Sequence, residues 1–466
     1  MASIVCSDQH VAFTSGSKVK VISYSDPSEE LVFNLKAKAK DSDEKGNEKQ
    51  KEQKKPEDKP VGGIIDPHVP TGRVLAAAFS GSGMYFAACT DEKELTLWTT
   101  TPSWNRVWTR MVVKRCMAVT FDNSETALYV ADKAGDVYRF EISDENKESV
   151  LILGHVSMLL DVVISHDDNF ILTAERDEKI RVSHLPNAYN IHTYCLGHTE
   201  FLSRLYILSS DLLISCAGDS TMMLWDYKKG KELCRTSFDW ARPSSEDRGA
   251  KNKVTVTCIS CFKKHNLVAV TLLDHSTVPV YHVTAEKDGH WTFQEVTRLE
   301  CKHPPWSLAF DPNGRLLVLV PNPEEPLLVC VIEPNKDGVL QVSENVSKED
   351  SASLLAQKAK NDWEFLKCSC NVQSVLRGLH KVPYDNMPDY RQRKQQRIEY
   401  NQSKKGHRKR ARKLNKKRPI EGATDSGDAP KRTMLDEGGD DDDQEEENGD
   451  EGNTNSVEME AVELTS

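Results

Sequence analysis

The chain has 466 residues, a hydrophobic content of 38%, a mean hydropathy of -0.56 and a formal net charge of -11. The low hydropathy predicts long polar segments beside a globular core, and the lack of any run of 18 apolar residues predicts no membrane-spanning helix and no membrane partner. The charge is uneven: residues 1–390 carry -9, residues 391–418 carry 14 Lys and Arg against Glu399, and residues 436–466 carry 14 acids and no base, so the bulk of the chain is not a basic clamp for nucleic acid.

From the N-terminus, Met1 to Ala12 has no basic stretch followed by an apolar run, which predicts no secretory signal and reduced cysteines. Ile4 to Tyr24 holds two alternating runs around Gly16, and residues 1–35 read as a unit of short strands. Residues 36–60 hold 16 charged residues of 25 and no aliphatic beyond Ala37 and Ala39. Such a segment cannot offset the entropy of ordering and is expected to be a disordered insertion. Similar strand clusters follow at Leu75 to Thr99, Cys116 to Phe140, Leu160 to His184, Arg204 to Asp226, Val256 to Val283 and Trp306 to Ile332. Phe79, Phe121, Ile164 and Ile207 recur at spacings of 42, 43 and 43.

Within this series Leu153-Gly154-His155 and Leu196-Gly197-His198 repeat at the same interval, and the second is followed by Asp219 and then Trp225-Asp226. A Gly-His start, a central Asp and a Trp-Asp finish at a period near 40 mark a four-stranded propeller blade. One blade cannot bury both faces alone, so the expected fold is all-β, a seven-bladed β-propeller with blade one in residues 1–35 and blades two to seven in 61–345. Residues 237–252 are a long loop. Residues 346–388, with Leu354, Leu355, Trp363, Phe365 and Leu366, read as an extension packed on the propeller. Residues 389–418 are basic and rich in helix formers, and 419–466 form an acidic disordered tail.

The blade residues have structural roles. In the fifth repeat His198, Ser215, Asp219 and Trp225 are expected to form one buried hydrogen-bonded set; in the fourth, His155, Thr173 and Asp177 do the same, with Ser183 in place of the tryptophan. The turn Glu175-Arg176-Asp177-Glu178-Lys179-Ile180-Arg181 is unusually charged. On a propeller such turns share a face with the Gly-His loops, which groups Lys133, Arg176, Asp177, Lys179, Arg181, Thr199 and Glu200 as a mixed-charge rim suited to a protein partner. Cys258 and Cys261 have a metal or redox spacing, but no second pair follows and Val254 to Ile259 alternates as a strand. No glycine-rich nucleotide or S-adenosylmethionine loop, P-loop, metal cluster or nucleophile elbow is present, so neither catalytic residue nor cofactor is assigned. The run Lys404, Lys405, Arg408, Lys409, Arg410, Arg412 and Lys413 reads as a nuclear import signal, and also suits RNA backbone.

Leu153 to Asp161, Phe170 to Ser183 and Cys195 to Phe201, with Ala131 to Tyr138 and Val382 to Met387, resemble the WD-repeat non-catalytic subunit of the tRNA (guanine-N7)-methyltransferase. The resemblance implies a propeller that binds and stabilises a separate catalytic subunit as a heterodimer. The partner carries the S-adenosylmethionine site, this chain meets tRNA through the complex, and the pair forms 7-methylguanosine in the variable region of a subset of tRNAs. It implies a non-enzymatic scaffold whose partner-docking side holds Arg181, Lys179, Asp177, Arg176 and Lys133, with Arg181 foremost; the basic run adds the expectation of a nuclear location. The competing expectation is a general nuclear interaction scaffold, a chromatin reader or a ubiquitin-ligase substrate receptor. Against the latter, Trp225-Asp226 continues as Tyr227-Lys228 rather than reaching an arginine two positions on.

Overall fold

The computed structural model describes residues 1–27, 29–35, 72–242, 253–286, 288–334, 340–343, 351–370, 372–381 and 387–415. The charged insertion at 36–60, the loop residues 243–252, the motif residues 382–386 and the acidic tail lie outside them. The chain divides into two units, Met1–Pro383 and Tyr384–Ser466.

The first unit is a seven-bladed propeller of seven antiparallel four-stranded sheets. Blade one is β1 (Ser3–Cys6), β2 (His10–Ser15), β3 (Lys18–Ser23) and β4 (Glu30–Asn34); blade two is β5 (Val74–Phe79), β6 (Tyr85–Thr90), β7 (Glu94–Thr99) and β8 (Asn105–Met111). Blade three runs through β9 (Cys116–Phe121), β10 (Ala127–Asp132), β11 (Asp136–Glu141) and β12 (Val150–Gly154), and blade four through β13 (Leu159–Ile164), β14 (Phe170–Glu175), β15 (Lys179–His184) and β16 (Ile191–Leu196). Blade five comprises β17 (Leu202–Ile207), β18 (Leu212–Ala217), β19 (Thr221–Asp226) and β20 (Lys231–Ser237). Blade six comprises β21 (Val256–Phe262), β22 (Leu267–Leu272), β23 (Thr277–Ala285) and β24 (Trp291–Glu300), and blade seven β25 (Ser307–Phe310), β26 (Arg315–Leu319), β27 (Leu327–Pro334) and β28 (Leu340–Ser343). Cys258 and Cys261 lie on strand β21, and no group of metal-ligating side chains occurs among the described residues.

The second strand of each blade is buried on both faces, as in Ala127–Asp132 and Leu267–Leu272, because sheets pack against it from either side. The outer strands keep one wet face, and their patterns are correspondingly mixed. Blades two to six share a register shift near the start of the innermost strand, at 74/76, 116/118, 159/161, 202/204 and 256/258. A bulge at this point raises the local twist and bends the strand toward the axis.

Each blade is built from four consecutive strands, so the ring closes by side-to-side packing and not by a strand shared between the termini. Ala2, Ile4, Val11, Phe13 and Ile22 of blade one and its leader pack with Leu317, Leu319 and Leu327 of blade seven. The Ile4 N–H donates to Ser307 Oγ at 3.3 Å. Helices α1 (Ser351–Asn361) and α2 (Trp363–Leu366) cover this seam with Leu355, Ala359 and Leu366. Trp363 stacks on Trp306 at 6.3 Å and 5°, and the half-buried Asp362 takes the buried Lys20 ammonium at 2.6 Å.

Beyond α2 a strap, its described residues 367–370 and 372–381, crosses the ring. Ser369 bonds Ser15 at 2.8 Å in blade one, whereas Leu376 and Leu379 pack on Leu160 and Phe201, at the start of the inner strand of blade four and just before that of blade five. The second unit contains α3 (Met387–Asn415), a 29-residue helix whose described side chains are exposed, Tyr390, Ile398 and Tyr400 included. No helix among the described residues is long and apolar enough to cross a membrane.

Candidate docking face

In blade five the set His198, Ser215, Asp219 and Trp225 comes together. The Trp225 indole N–H donates to Ser215 Oγ at 2.8 Å, Ser215 bonds His198 Nε2 at 2.7 Å, and His198 Nδ1 meets Asp219 Oδ2 at 3.0 Å. One proton assignment satisfies the chain: indole to hydroxyl, hydroxyl to Nε2, and Nδ1–H to carboxylate. Burial pushes the Asp219 carboxyl up, but the His198 ring, the Thr221 hydroxyl and the Thr199 N–H outweigh it and hold it below the ordinary carboxylate range.

Blade four departs from the expected set. His155 Nε2 bonds Thr173 Oγ1 at 3.0 Å, but His155 Nδ1 meets Glu175 Oε1 at 2.8 Å, and Asp177 is exposed at the turn tip. Thr173 and Glu175 alternate onto one face of β14, and the extra methylene of glutamate spans the distance that an aspartate covers from two residues further on. Asp177 is therefore not part of the buried set. Ser183, at the tryptophan position, is buried, and its hydroxyl finds no hydrogen-bond partner among the described residues.

The replacement frees the turn between β14 and β15 to carry charge. Arg176, Asp177 and Lys179 are all exposed. Arg181, on β15, is half-buried: its Nη1 donates to the Gly154 carbonyl of blade three at 3.3 Å. Burial lowers the Arg181 pKa, opposed by Tyr194 and Glu175 beside it, and the guanidinium stays charged. The turn of blade three is capped by Asp132, whose Oδ1 accepts from the N–H groups of Ala134, Gly135 and Asp136 at 2.8, 3.1 and 3.1 Å, and this presents Lys133 to solvent. Gly135 has φ +106°, and its carbonyl accepts from His155 N–H at 2.9 Å. A Cβ there would lie 2.5 Å from the His155 carbonyl oxygen, so glycine is required for the Lys133 turn to rest on the Gly-His loop.

Lys133, Arg181 and the loop from Gly154 to Ser157 thus meet on one shoulder between blades three and four. Three apolar side chains join them that charge alone did not reveal. Leu196 pairs across the sheet with Lys179 and Tyr194 with Arg181; both are exposed, as is Val156, two residues past Gly154. Their signal is in β16, Ile191-His-Thr-Tyr-Cys-Leu196, an outer strand with apolar residues on its wet face.

Glu200 and Glu178 do not belong to a free rim. Glu200 is buried and takes Lys253 Nζ at 2.8 Å and the Lys381 N–H at 3.3 Å, while Glu178 pairs with Lys381 Nζ. The strap occupies that part of the face, and Thr199 is left exposed beside it. Of the basic run, Lys404 to Lys413 all lie on α3, with Lys404 over the Tyr400 ring at 5.2 Å.

Residues 140–327 match the family model for the tRNA methyltransferase TRM82 WD40 domain. The chain is 36% identical over 363 residues to the tRNA (guanine-N(7)-)-methyltransferase non-catalytic subunit wdr4 of Danio rerio, covering 77% of this chain and 84% of the relative. It is likewise 36% identical over 326 residues to the Homo sapiens subunit of that name, covering 69% and 76%. Among solved structures, U3-55K and the RRP9 WD40 repeats each superpose with a TM-score of 0.52 at 15% identity, over 68% of this chain and 87% and 86% of theirs, a likeness of fold alone. The chain belongs to the family of WD-repeat non-catalytic subunits of the tRNA (guanine-N7)-methyltransferase.

Proposed function

We propose that the shoulder between blades three and four docks the catalytic methyltransferase subunit as a heterodimer, and that this chain acts on tRNA through that complex. The carrying observation is the placement of Arg181: a charged guanidinium anchored on the Gly154 carbonyl, with Lys133, Lys179, Arg176 and Asp177 around it and Tyr194, Leu196 and Val156 exposed beside it. Cationic anchors among apolar side chains suit an acidic and apolar protein surface better than a phosphate backbone. Binding the ordered form of the catalytic subunit raises its population, which is how an inert ring promotes 7-methylguanosine formation in the variable region of tRNA. The basic residues of α3 add phosphate contacts, and Lys404, Lys405, Arg408, Lys409, Arg410, Arg412 and Lys413 direct the chain to the nucleus.

The test is co-purification and tRNA methylation with the catalytic subunit, comparing the unsubstituted chain with Arg181→Glu. The substitution is expected to lower both together while the propeller keeps its thermal unfolding profile. Unchanged complex formation by Arg181→Glu overturns the docking assignment.

A further inference from the structure

The central channel of the ring carries a second charged site, independent of the docking shoulder. The inner strands and the strap line an open cavity of about 310 Å³. That volume falls at the lower end of the range for small-molecule sites, roughly 300–1,000 Å³. Its lining includes Arg73, Arg115 and Arg204, with Asp161 as its one acid among the described residues, and Gln373 and Ser374 from the strap. Asp161 is already engaged. Its carboxylate accepts from the Val162 and Leu205 N–H groups at 2.9 Å each, and Arg204 lies close enough to oppose the upward push of burial on its pKa.

Arg73 and Arg115 are different. They hold matching positions on adjacent blades, Arg73 just before β5 and Arg115 just before β9, so both face the same end of the channel. Among the described residues neither side chain forms an ion pair within 4.0 Å, and Arg115 Nε is buried with no hydrogen-bond partner. Burial, and then the charge of Arg115, lower the Arg73 pKa, with Asp91 only partly offsetting them. Two partly buried like charges cost stability unless an anion joins them. Guanidinium forks meet phosphate oxygens in bidentate geometry, which a single chloride cannot exploit.

We propose that the strap end of the central channel, at Arg73 and Arg115, binds a small free phosphate-class oxyanion. Seven inner strands and the strap leave room for a small molecule and not for a polymer. The site is distinct from the docking shoulder, and its occupant ties blades two and three to each other across the channel mouth.

The experiment uses the full chain, titrated with inorganic phosphate and with pyrophosphate at constant ionic strength, chloride serving as the control. Thermal unfolding and phosphorus NMR line width are read in parallel. The expected result is a saturable rise in the unfolding temperature and line broadening with pyrophosphate, weakened about tenfold or more by Arg73→Gln or Arg115→Gln. Without added anion, each of these variants is expected to unfold at the same or a higher temperature than the parent, because a like-charge repulsion is removed. Should the glutamine variants fold poorly, Arg73→Lys and Arg115→Lys keep the charge and lose the fork, and are expected to weaken binding as well. No saturable effect beyond chloride in the unsubstituted chain, or unchanged affinity in Arg73→Gln/Arg115→Gln, overturns the proposal. Loss of both effects in the unsubstituted chain leaves the Arg181 experiment untouched.

Discussion

His155 and Glu175 meet at 2.8 Å through Nδ1 and Oε1, whereas the matching histidine of the next blade, His198, uses Asp219 at 3.0 Å. The same job is done from two different positions of the hairpin, and the difference decides which residues of each turn are available at the surface. In blade five the acid is tied down in the turn. In blade four it sits at the strand end, and the turn is left to Arg176 and Asp177.

The first prediction concerns these buried sets. His198→Ala removes the partner of a buried carboxylate and of the Ser215 hydroxyl, and is expected to cost about 3 kcal/mol in denaturant unfolding. Glu175→Asp shortens the reach to His155 and is expected to cost about 1–2 kcal/mol, whereas Asp177→Ala, at an exposed tip, stays within about 0.5 kcal/mol.

The second follows from the Asp219 carboxyl, held below its ordinary value of 3.8 despite burial. A depressed carboxyl contributes stability that is fully present above the unfolded pKa and disappears as pH falls through the folded one. The stability gap between the unsubstituted chain and Asp219→Asn is therefore expected to be constant from neutral pH down to about pH 5 and to close below pH 4. A gap that widens on acidification contradicts the assignment.

Gly135 supplies a third. Alanine there meets the His155 and Ser157 carbonyl oxygens at 2.5 and 2.6 Å in a left-handed backbone conformation, so Gly135→Ala is expected to cost about 2 kcal/mol or more. It should also weaken capture of the catalytic subunit without altering any docking side chain, because it displaces the Gly154 to Ser157 loop. Pull-down yield measured below the unfolding temperature of the variant separates the two effects.

The strap allows a fourth. Lys381 and Glu178 form an exposed pair, so Lys381→Glu is expected to change stability by less than about 1 kcal/mol. Leu376→Ala removes a buried side chain that packs with Leu160 and Phe201, and is expected to cost about 2–3 kcal/mol and to open residues 367–381 to limited proteolysis. Equal protease sensitivity in the two variants contradicts the view that apolar packing, not charge, holds the strap.

The sequence carried the ring more clearly than its details. Blades three to five were legible because their inner strands repeat at 42 to 43 residues with alternating apolar faces, and His198, Ser215, Asp219 and Trp225 follow the repeat in full. Outer strands such as β4 and β8 were poorly legible, since a strand packed on one side needs only a few apolar residues and connects through loops of any length. The sequence points to Asp177 where the structure uses Glu175, because spacing alone cannot weigh the extra methylene of one acid against the two-residue offset of the other. The strap left no periodic signal: a short segment held by the packing of Leu376 and Leu379 and by bonds from His380 to Thr255 and from Arg377 to Asp274, both in blade six, is specified by its tertiary partners.

A wheel in which no sheet borrows a strand from the far end of the chain has a mechanical weakness and a freedom. Its one non-covalent joint lies between the first and seventh sheets, where Trp363 and Leu355 act as a clasp; removing residues from 351 onward would let the circle spring apart there before any single sheet frays. Every other joint is bridged by the polypeptide. New termini cut between any two sheets, with the old ends spliced, would move that weak point around the circumference without changing what the rim displays.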